Sequence, residues 1–175
     1  MFNKVFVIAE AGVNHNGDLQ LARKLVDAAV EAGADAVKFQ TFKAEEVAVP
    51  DAERAQYQRE NMPEKDESQL EMIKRLELSY SQFKELHAYC RRKGIIFLSS
   101  PFDLGSIDFL DELDVPYFKI PSGEITNFPL LRRIGEKKRP VILSTGMATL
   151  GEVEDAVNEL RSAGSKDIIL LHCTT

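Results

Sequence analysis

The sequence predicts an α/β fold made of parallel βα units, a (β/α)8 TIM barrel truncated to about six of its eight units. Short apolar runs alternate with amphipathic helical stretches along the whole chain. Those runs are apolar on both faces, as parallel strands covered by helices are. Nearly every run also ends on a polar residue: Glu10, Lys38, Ser100, Lys119, Ser144 and His172 in turn. A site that takes one side chain from each of several strand ends is a barrel property. An open doubly wound sheet is the competing architecture. No GxGxxG follows the first strand, however, and no GxxxxGK(S/T) occurs, so both nucleotide-binding fingerprints are missing. A full barrel takes roughly 250 residues. The 175 residues here stop on a sixth strand. They are expected to form one partial barrel domain, residues 1–175, that closes only with further sequence or with a partner.

The elements follow in order. Phe2 to Ala9 is apolar and β-branched, a first strand ending at Glu10. Asp18 caps a helix with Leu19, Ala22, Leu25, Val26, Ala29 and Val30 on one face and Gly33 at its end. Ala34 to Phe39 is the second strand. Thr41 to Glu67 then breaks the rhythm: charged, weakly periodic and interrupted by Pro50 and Pro63, it reads as an insertion or a binding loop. Ser68 and Glu71 have capping-box spacing ahead of Leu70, Ile73 and Leu76. Ser79 starts a helix with Phe83, Leu86 and Cys90 inward, stopped at Gly94. Regular alternation resumes with strands at Ile95–Leu98, Val115–Ile120, Pro140–Leu143 and Asp167–Leu171. Between them lie helices at Ser106–Leu113, Asn127–Gly135 and after the Thr149/Glu152 capping box.

Composition narrows the function. Charged residues are 29% and apolar ones 44%, which suits a soluble globular protein. A net charge of −6 argues against a nucleic-acid surface, so any anion site must be local. No apolar run approaches the ~18 residues that spanning a membrane takes. The N-terminus enters a strand directly, without a signal-peptide stretch, so the expected location is the cytoplasm. Cys90 and Cys173 are too few and too scattered for a disulfide framework or a zinc site.

Lys119-Ile120-Pro121-Ser122-Gly123-Glu124 is the stretch richest in chemistry. Lysine offers a point charge for phosphate or carboxylate, Ser122 and the NH groups around Gly123 can close on oxyanions, and Glu124 can move a proton. Lys38 and Lys119 would meet at one mouth, where Ser100, Ser122 and Ser144 complete a set suited to a small, multiply charged anion. Glu10 and Glu124 are acid/base groups or hydroxyl anchors. Plainer roles stand beside these. Lys38 and Lys119 suit ion pairs with Glu10 and Glu124, and Ser100 and Ser144 suit caps of the helices that follow. His15 suits a loop hydrogen bond, His172 a barrel-core position, and His87 a surface or packing one. The run from Arg132 to Arg139 reads as a solvated helix end on the far rim.

Ile8 to Gly17 (IAEAGVNHNG) resembles the first strand and loop of the sialic acid synthase family, N-acetylneuraminate synthase with its legionaminate and spore-coat relatives. Val37 to Lys43 (VKFQTFK), Ser99 to Asp103 (SSPFD) and Lys119 to Glu124 (KIPSGE) are similar to its later motifs. Ile142 to Thr149 (ILSTGMAT) and Leu171 to Thr175 (LHCTT) complete six motifs in register along the chain. The resemblance implies a TIM-barrel enzyme that condenses phosphoenolpyruvate with an N-acetylmannosamine-type sugar, giving a nine-carbon 2-keto-3-deoxy acid and phosphate. By that likeness Lys38, Ser100, Lys119, Ser122 and Ser144 hold phosphoenolpyruvate, and Glu10, Gln40 and Glu124 face the sugar. Glu10, Lys119 and Glu124 are the catalytic candidates. A divalent metal, Mn2+ or Mg2+, is implied as Lewis acid, with its histidine ligands beyond the sixth strand and none in this chain. A homodimer is also implied, in which an antifreeze-like C-terminal domain, absent here, covers the partner's site. Two other readings stand: a Schiff-base aldolase using Lys119 or Lys38, and an inactive fragment that only associates.

Overall fold

In the computed structural model, which describes residues 5–48 and 68–174, six strands follow one another in chain order and every ladder is parallel. β1 (Ile8–Gly12), β2 (Ala36–Thr41) and β3 (Ile96–Pro101) form one three-stranded sheet. β4 (Phe118–Ile120), β5 (Val141–Ser144) and β6 (Ile168–Leu171) form a second. β3 and β4 run side by side, but no ladder joins them among the described residues. The fold is therefore α/β with two parallel half-sheets in sequence, and no barrel closes among the described residues.

Each helix starts where the chain supplies an acceptor for its free N–H groups. Asp18 accepts from Gln20 and Leu21 to open α1 (Leu19–Glu31), whose Ala22, Val26 and Ala29 are buried. α2 (Ala44–Val47) is a single turn after β2. Reciprocal capping boxes, Ser68 with Glu71 and Ser79 with Gln82, open α3 (Gln69–Leu76) and α4 (Tyr80–Lys93). α4 buries Phe83, Leu86 and Cys90 and ends at Gly94 in the left-handed region. α5 (Leu104–Glu112) starts from Asp103, α6 (Phe128–Glu136) from Asn127, and α7 (Leu150–Ala163) from the Thr149/Glu152 box. Packing between α6 and α7 depends on Gly135, where an added Cβ would lie 2.5 Å from the Ala163 Cβ.

The layer between sheet and helices is strongly aromatic. Phe39 stacks on Phe97 at 5.8 Å between centroids, Phe83 meets Phe97 at 6.3 Å, and Tyr80 lies parallel to Phe109 at 4.1 Å. Such pairs add about 0.5–1.5 kcal/mol each beyond simple burial. Because side chains alternate along a strand, Phe39 and Thr41 belong to this layer while Lys38 and Gln40 face the other way.

Several expected boundaries shift. β1 begins at Ile8 rather than Phe2: Val5 and Val7 are 83% and 50% exposed, and the ladder starts where Ile8 faces Ala36. The remainder of that expected strand, with most of the Thr41–Glu67 stretch and Thr175, lies outside the described residues. β3 extends through Ser99, Ser100 and Pro101, so its polar end remains in the ladder. β4 is cut to three residues because Pro116 has no N–H to give, and pairing starts when Phe118 donates to the Pro140 carbonyl at 3.0 Å. α5 starts two residues before the expected Ser106, since Asp103 is its cap. The basic run is not a free solvated end. Arg132 pairs with Glu159, Arg133 with Asp108 and Glu136, Lys137 with Asp108 and Asp111, and Arg139 with Asp111 and Asp114.

Candidate functional site

The two lysines end up in one electrostatic environment, each built in the same way. On β2, Lys38 is 6% exposed; its Nζ lies 3.0 Å from Glu10 Oε1 and donates to Ser100 Oγ at 3.2 Å. On β4, Lys119 is 7% exposed; its Nζ donates to Ser144 Oγ at 2.8 Å and to the Ile120 carbonyl at 2.9 Å. The ladder explains the first set, since Glu10 is in register with Lys38, and Gln40 with Ser100. It explains the second too, with Lys119 opposite Ile142 and Ser144 two residues further along β5. Each lysine thus occupies its serine's oxygen as an acceptor and leaves that hydroxyl's hydrogen to donate elsewhere.

Burial pulls the Lys119 pKa down to about 8, and the charge of Lys38 adds to the effect. The Glu10 charge opposes it. Lys119 therefore feels the charges of Lys38 and Glu10 although the three groups come from both half-sheets. Two ammonium groups face one paired carboxylate, so the site carries excess positive charge in a protein whose net charge is −6. Chemically such a group can hold an anion with several oxygens.

Glu10 and Gln40 border the same region. A Cβ built on Gly12, which has φ +54°, would meet Glu10 Oε1 at 3.2 Å and Gln40 Nε2 at 3.8 Å. Glycine lets the β1 backbone turn there without strain and without crowding Glu10. Ser122 and Glu124 sit half-buried on a 3-10 turn directly after β4. Glu124 Oε2 accepts from Asn127 Nδ2 at 2.7 Å, and no ion pair links it to Lys119 among the described residues. Of the two structural ion pairs expected, then, only Lys38 with Glu10 forms. Ser100 and Ser144 do not cap helices: Asp103 and Thr149 take those roles, and both serines bond lysines instead.

The histidines divide differently. His15 is fully buried, and its Nδ1 accepts from Gly17 N at 3.1 Å, which is the loop role. His87 packs edge-on against Phe97 at 5.6 Å. His172 does not occupy a core position; it is exposed just past β6. Among the described residues no three of His, Cys, Asp and Glu converge to hold a metal ion, and Glu10 is engaged with Lys38. A cleft of about 540 Å³ on Lys43, Glu45, Lys74 and Glu77 is a poor anion site, since those charges pair with one another.

Cys173 was visible only as a scattered thiol, yet it belongs to this neighbourhood. Burial raises its pKa, but hydrogen bonds from Ser144 and from the Thr145 and Gly146 backbone, with the Lys119 charge, outweigh that and hold it below the ordinary thiol value. Its place one residue after the polar strand end at His172 was the available signal. The carbonyls of Phe39 and Ile120, which accept from the two lysines, leave no trace in a sequence.

A family model described as the NeuB family matches residues 25–175. The chain is 53% identical over 174 residues to an N,N'-diacetyllegionaminic acid synthase of Campylobacter jejuni, covering 98% of this chain and 52% of that protein. It is 35% identical to an N-acetylneuraminate-9-phosphate synthase of Drosophila melanogaster, covering 100% of this chain and 46% of that one. Among solved structures, the N-acetylneuraminic acid synthetase of Leptospira borgpetersenii in complex with citrate superposes with a TM-score of 0.82 at 36% identity, over 99% of this chain and 55% of that one. The chain spans about half the length of the curated relatives it matches. Matched motifs, a matched fold and a family model covering most of its residues agree: this chain belongs to the NeuB family, whose named relatives are sialic and legionaminic acid synthases.

Proposed function

We propose that these residues form the phosphoenolpyruvate half of a sialic acid-type synthase, carried on six units of a TIM barrel completed outside this chain. The observation behind this reading is the pair of buried ammonium groups, Lys38 and Lys119, coupled across two half-sheets and each backed by a serine. Lys38, Lys119, Ser100, Ser122 and Ser144 hold the phosphate and carboxylate. Glu10, Gln40 and Glu124 face the acceptor, an N-acetylated amino sugar in its open-chain aldehyde form. C3 of the enol phosphate attacks the aldehyde carbon, and the aldehyde oxygen takes up a proton. Water adds at C2 with loss of a proton, and the tetrahedral intermediate then breaks its C–O bond to release phosphate and leave the 2-keto acid. The lysines supply positioning and neutralise charge on the departing phosphate. Glu10, Lys119 and Glu124 are assigned the proton movements in this reading. The 53% identity to a legionaminic acid synthase, against 35% to the neuraminate type, supports a diacetamido acceptor. A divalent cation belongs to this reading as Lewis acid, with ligands outside these residues. A homodimer and a cytoplasmic location belong to it as well.

Phosphate release from phosphoenolpyruvate, an N-acetylated amino sugar and Mn2+ tests the proposal. The protein expressed from its complete coding sequence is expected to turn over, and residues 1–175 alone to show little or none. Turnover that needs no amino sugar would contradict it. The depressed Lys119 pKa favours one rival, a Schiff-base aldolase, because an amine at about 8 is partly neutral near physiological pH. Borohydride trapping with pyruvate separates the two: a covalent adduct on Lys119 or Lys38 transfers the assignment to the aldolase.

A further inference from the structure

Asp103 closes the SSPFD motif, and the anion contacts leave it unused. As an ordinary helix cap its Oδ1 accepts from Ser106 N at 2.6 Å. Its other oxygen does more than a cap needs. Oδ2 accepts the Ser106 hydroxyl at 2.7 Å and also, at 2.8 Å, the backbone N–H of Lys43, 60 residues away on the segment leaving β2. Asp103 is 8% exposed, so these bonds are shielded from water.

That segment is held from its other side as well. Glu77 accepts Ala44 N at 2.9 Å and the Lys43 ammonium at 2.6 Å, and the same ammonium lies 4.6 Å from the centre of the Tyr80 ring. Just before it, Thr41 Oγ1 meets Ser99 Oγ at 2.7 Å, and the Thr41 carbonyl accepts from Phe102 N at 3.1 Å. Residues 41, 43 and 44 are thus fixed in succession. Gln40, beside Glu10, is the last β2 side chain facing the mouth before these attachments begin.

We infer that Asp103 is a positioning residue: together with Glu77 it fixes the exit of β2, and through it the Gln40–Glu10 side of the site where the sugar acceptor sits. The inference rests on the synthase reading given above. Its chemistry makes a discriminating variant available. Asparagine offers one oxygen, which cannot serve both Ser106 N and Lys43 N, whereas aspartate meets them with separate oxygens. Cap geometry directs that oxygen to Ser106, so Asp103→Asn keeps the helix start and turns an N–H donor toward the Lys43 N–H.

Steady-state kinetics on the protein from its complete coding sequence, with phosphoenolpyruvate and amino sugar varied separately, provide the test. Asp103→Asn is expected to raise KM for the sugar about tenfold and KM for phosphoenolpyruvate less than about twofold, the scale of one lost buried bond to a charged acceptor. Glu77→Gln should shift the balance in the same direction. Ser106→Ala, which removes a bond to the same carboxylate but leaves Lys43 attached, should move neither constant. Equal rises in both constants, or a Ser106→Ala variant that behaves like Asp103→Asn, would reduce Asp103 to a helix cap and overturn the inference. Should Asp103→Asn fail to fold, Glu77→Gln decides by the same criterion. If the unmodified protein releases no phosphate at all, it is the synthase reading that falls. Hydrogen exchange at the amides of residues 43–47 needs no substrate and still judges the anchoring. Faster exchange in Asp103→Asn, with Ser106→Ala unchanged, is expected, and identical exchange in all three proteins refutes it.

Discussion

Replacing Lys119 by methionine is expected to weaken phosphoenolpyruvate binding about a hundredfold and yet, at neutral pH, to make the ligand-free protein more stable. On the proposed reading, the binding loss follows from removing one of two buried ammonium groups that grip the anion, where a charged hydrogen bond contributes about 1.5–3 kcal/mol. Sugar binding should change far less, and equal losses for both ligands would mean the lysine is structural. The stability gain follows from the depressed pKa. In the folded protein Lys119 titrates at about 8 against an ordinary 10.5, so between those values the unfolded chain holds the proton more tightly. Stability from this group therefore rises with pH through that window. Below about 8 the buried charge costs about 3 kcal/mol relative to a neutral amine. Methionine removes that cost, while Ser144 and the Ile120 carbonyl each lose a donor, leaving a net gain of about 1–2 kcal/mol. Urea denaturation should show that gain at pH 7 and, at pH 10, where the folded amine is already neutral and only the lost bonds count, a loss of about 1 kcal/mol. In the unmodified protein, phosphoenolpyruvate affinity should fall as pH rises past about 8; in the variant that step should vanish. A variant less stable than its parent at pH 7 would show that Lys119 supports the fold rather than strains it.

Gly17→Ala is expected to be the most damaging small substitution in the loop after β1. Gly17 has φ +76°, and a Cβ there would lie 2.3 Å from the backbone oxygen of Arg75. The left-handed backbone alone costs a side chain about 1–2 kcal/mol. The contact cannot be relieved by a rotamer change, because the neighbour is main chain. Together these give a loss of about 3–4 kcal/mol, in the range that marks a specific steric cause. Gly33→Ala is the control: φ is +74°, but nothing lies within 4 Å of its Cβ, so about 1 kcal/mol is expected. Thermal denaturation of the two variants separates clash from backbone preference, and equal losses would mean that the Arg75 contact yields easily. The Gly17 position also locates the loop, since Gly17 N donates to buried His15 and the connection it rests on ends at Glu77.

How far the sequence reveals this depends on the kind of interaction. Lys38, Lys119, Ser100 and Ser144 could be selected because a polar residue at the end of an apolar strand needs a reason to be there, and a parallel fold sends those ends one way. Which serine serves which lysine depends on register, and Ser100 and Ser144 fit a capping role equally well by spacing. Asp103 could be seen as a cap from its place before α5, but its bond to Lys43 joins residues far apart in the chain. Pro116 should have shortened β4 in advance; the apolar run around it hid the missing donor. Val5 and Val7 misled because β-branching favours strands only where there is a face to bury, and here there is none. The basic run from Arg132 misled for the opposite reason, since its partners Asp108, Asp111 and Asp114 come from the preceding helix and its end.

The break between β3 and β4 passes through the middle of the proposed anion site. Glu10, Lys38 and Ser100 ride on one block, Lys119 and Ser144 on the other. The span between the two ammonium groups is therefore set by packing across a joint and not by a hydrogen-bonded ruler. A ligand gripped from both sides must share its binding energy with that joint, so occupancy at ~100 times Kd would lock the blocks together by about 2.7 kcal/mol. Substitutions in the joint, remote from any ligand atom, would be felt as changes in affinity.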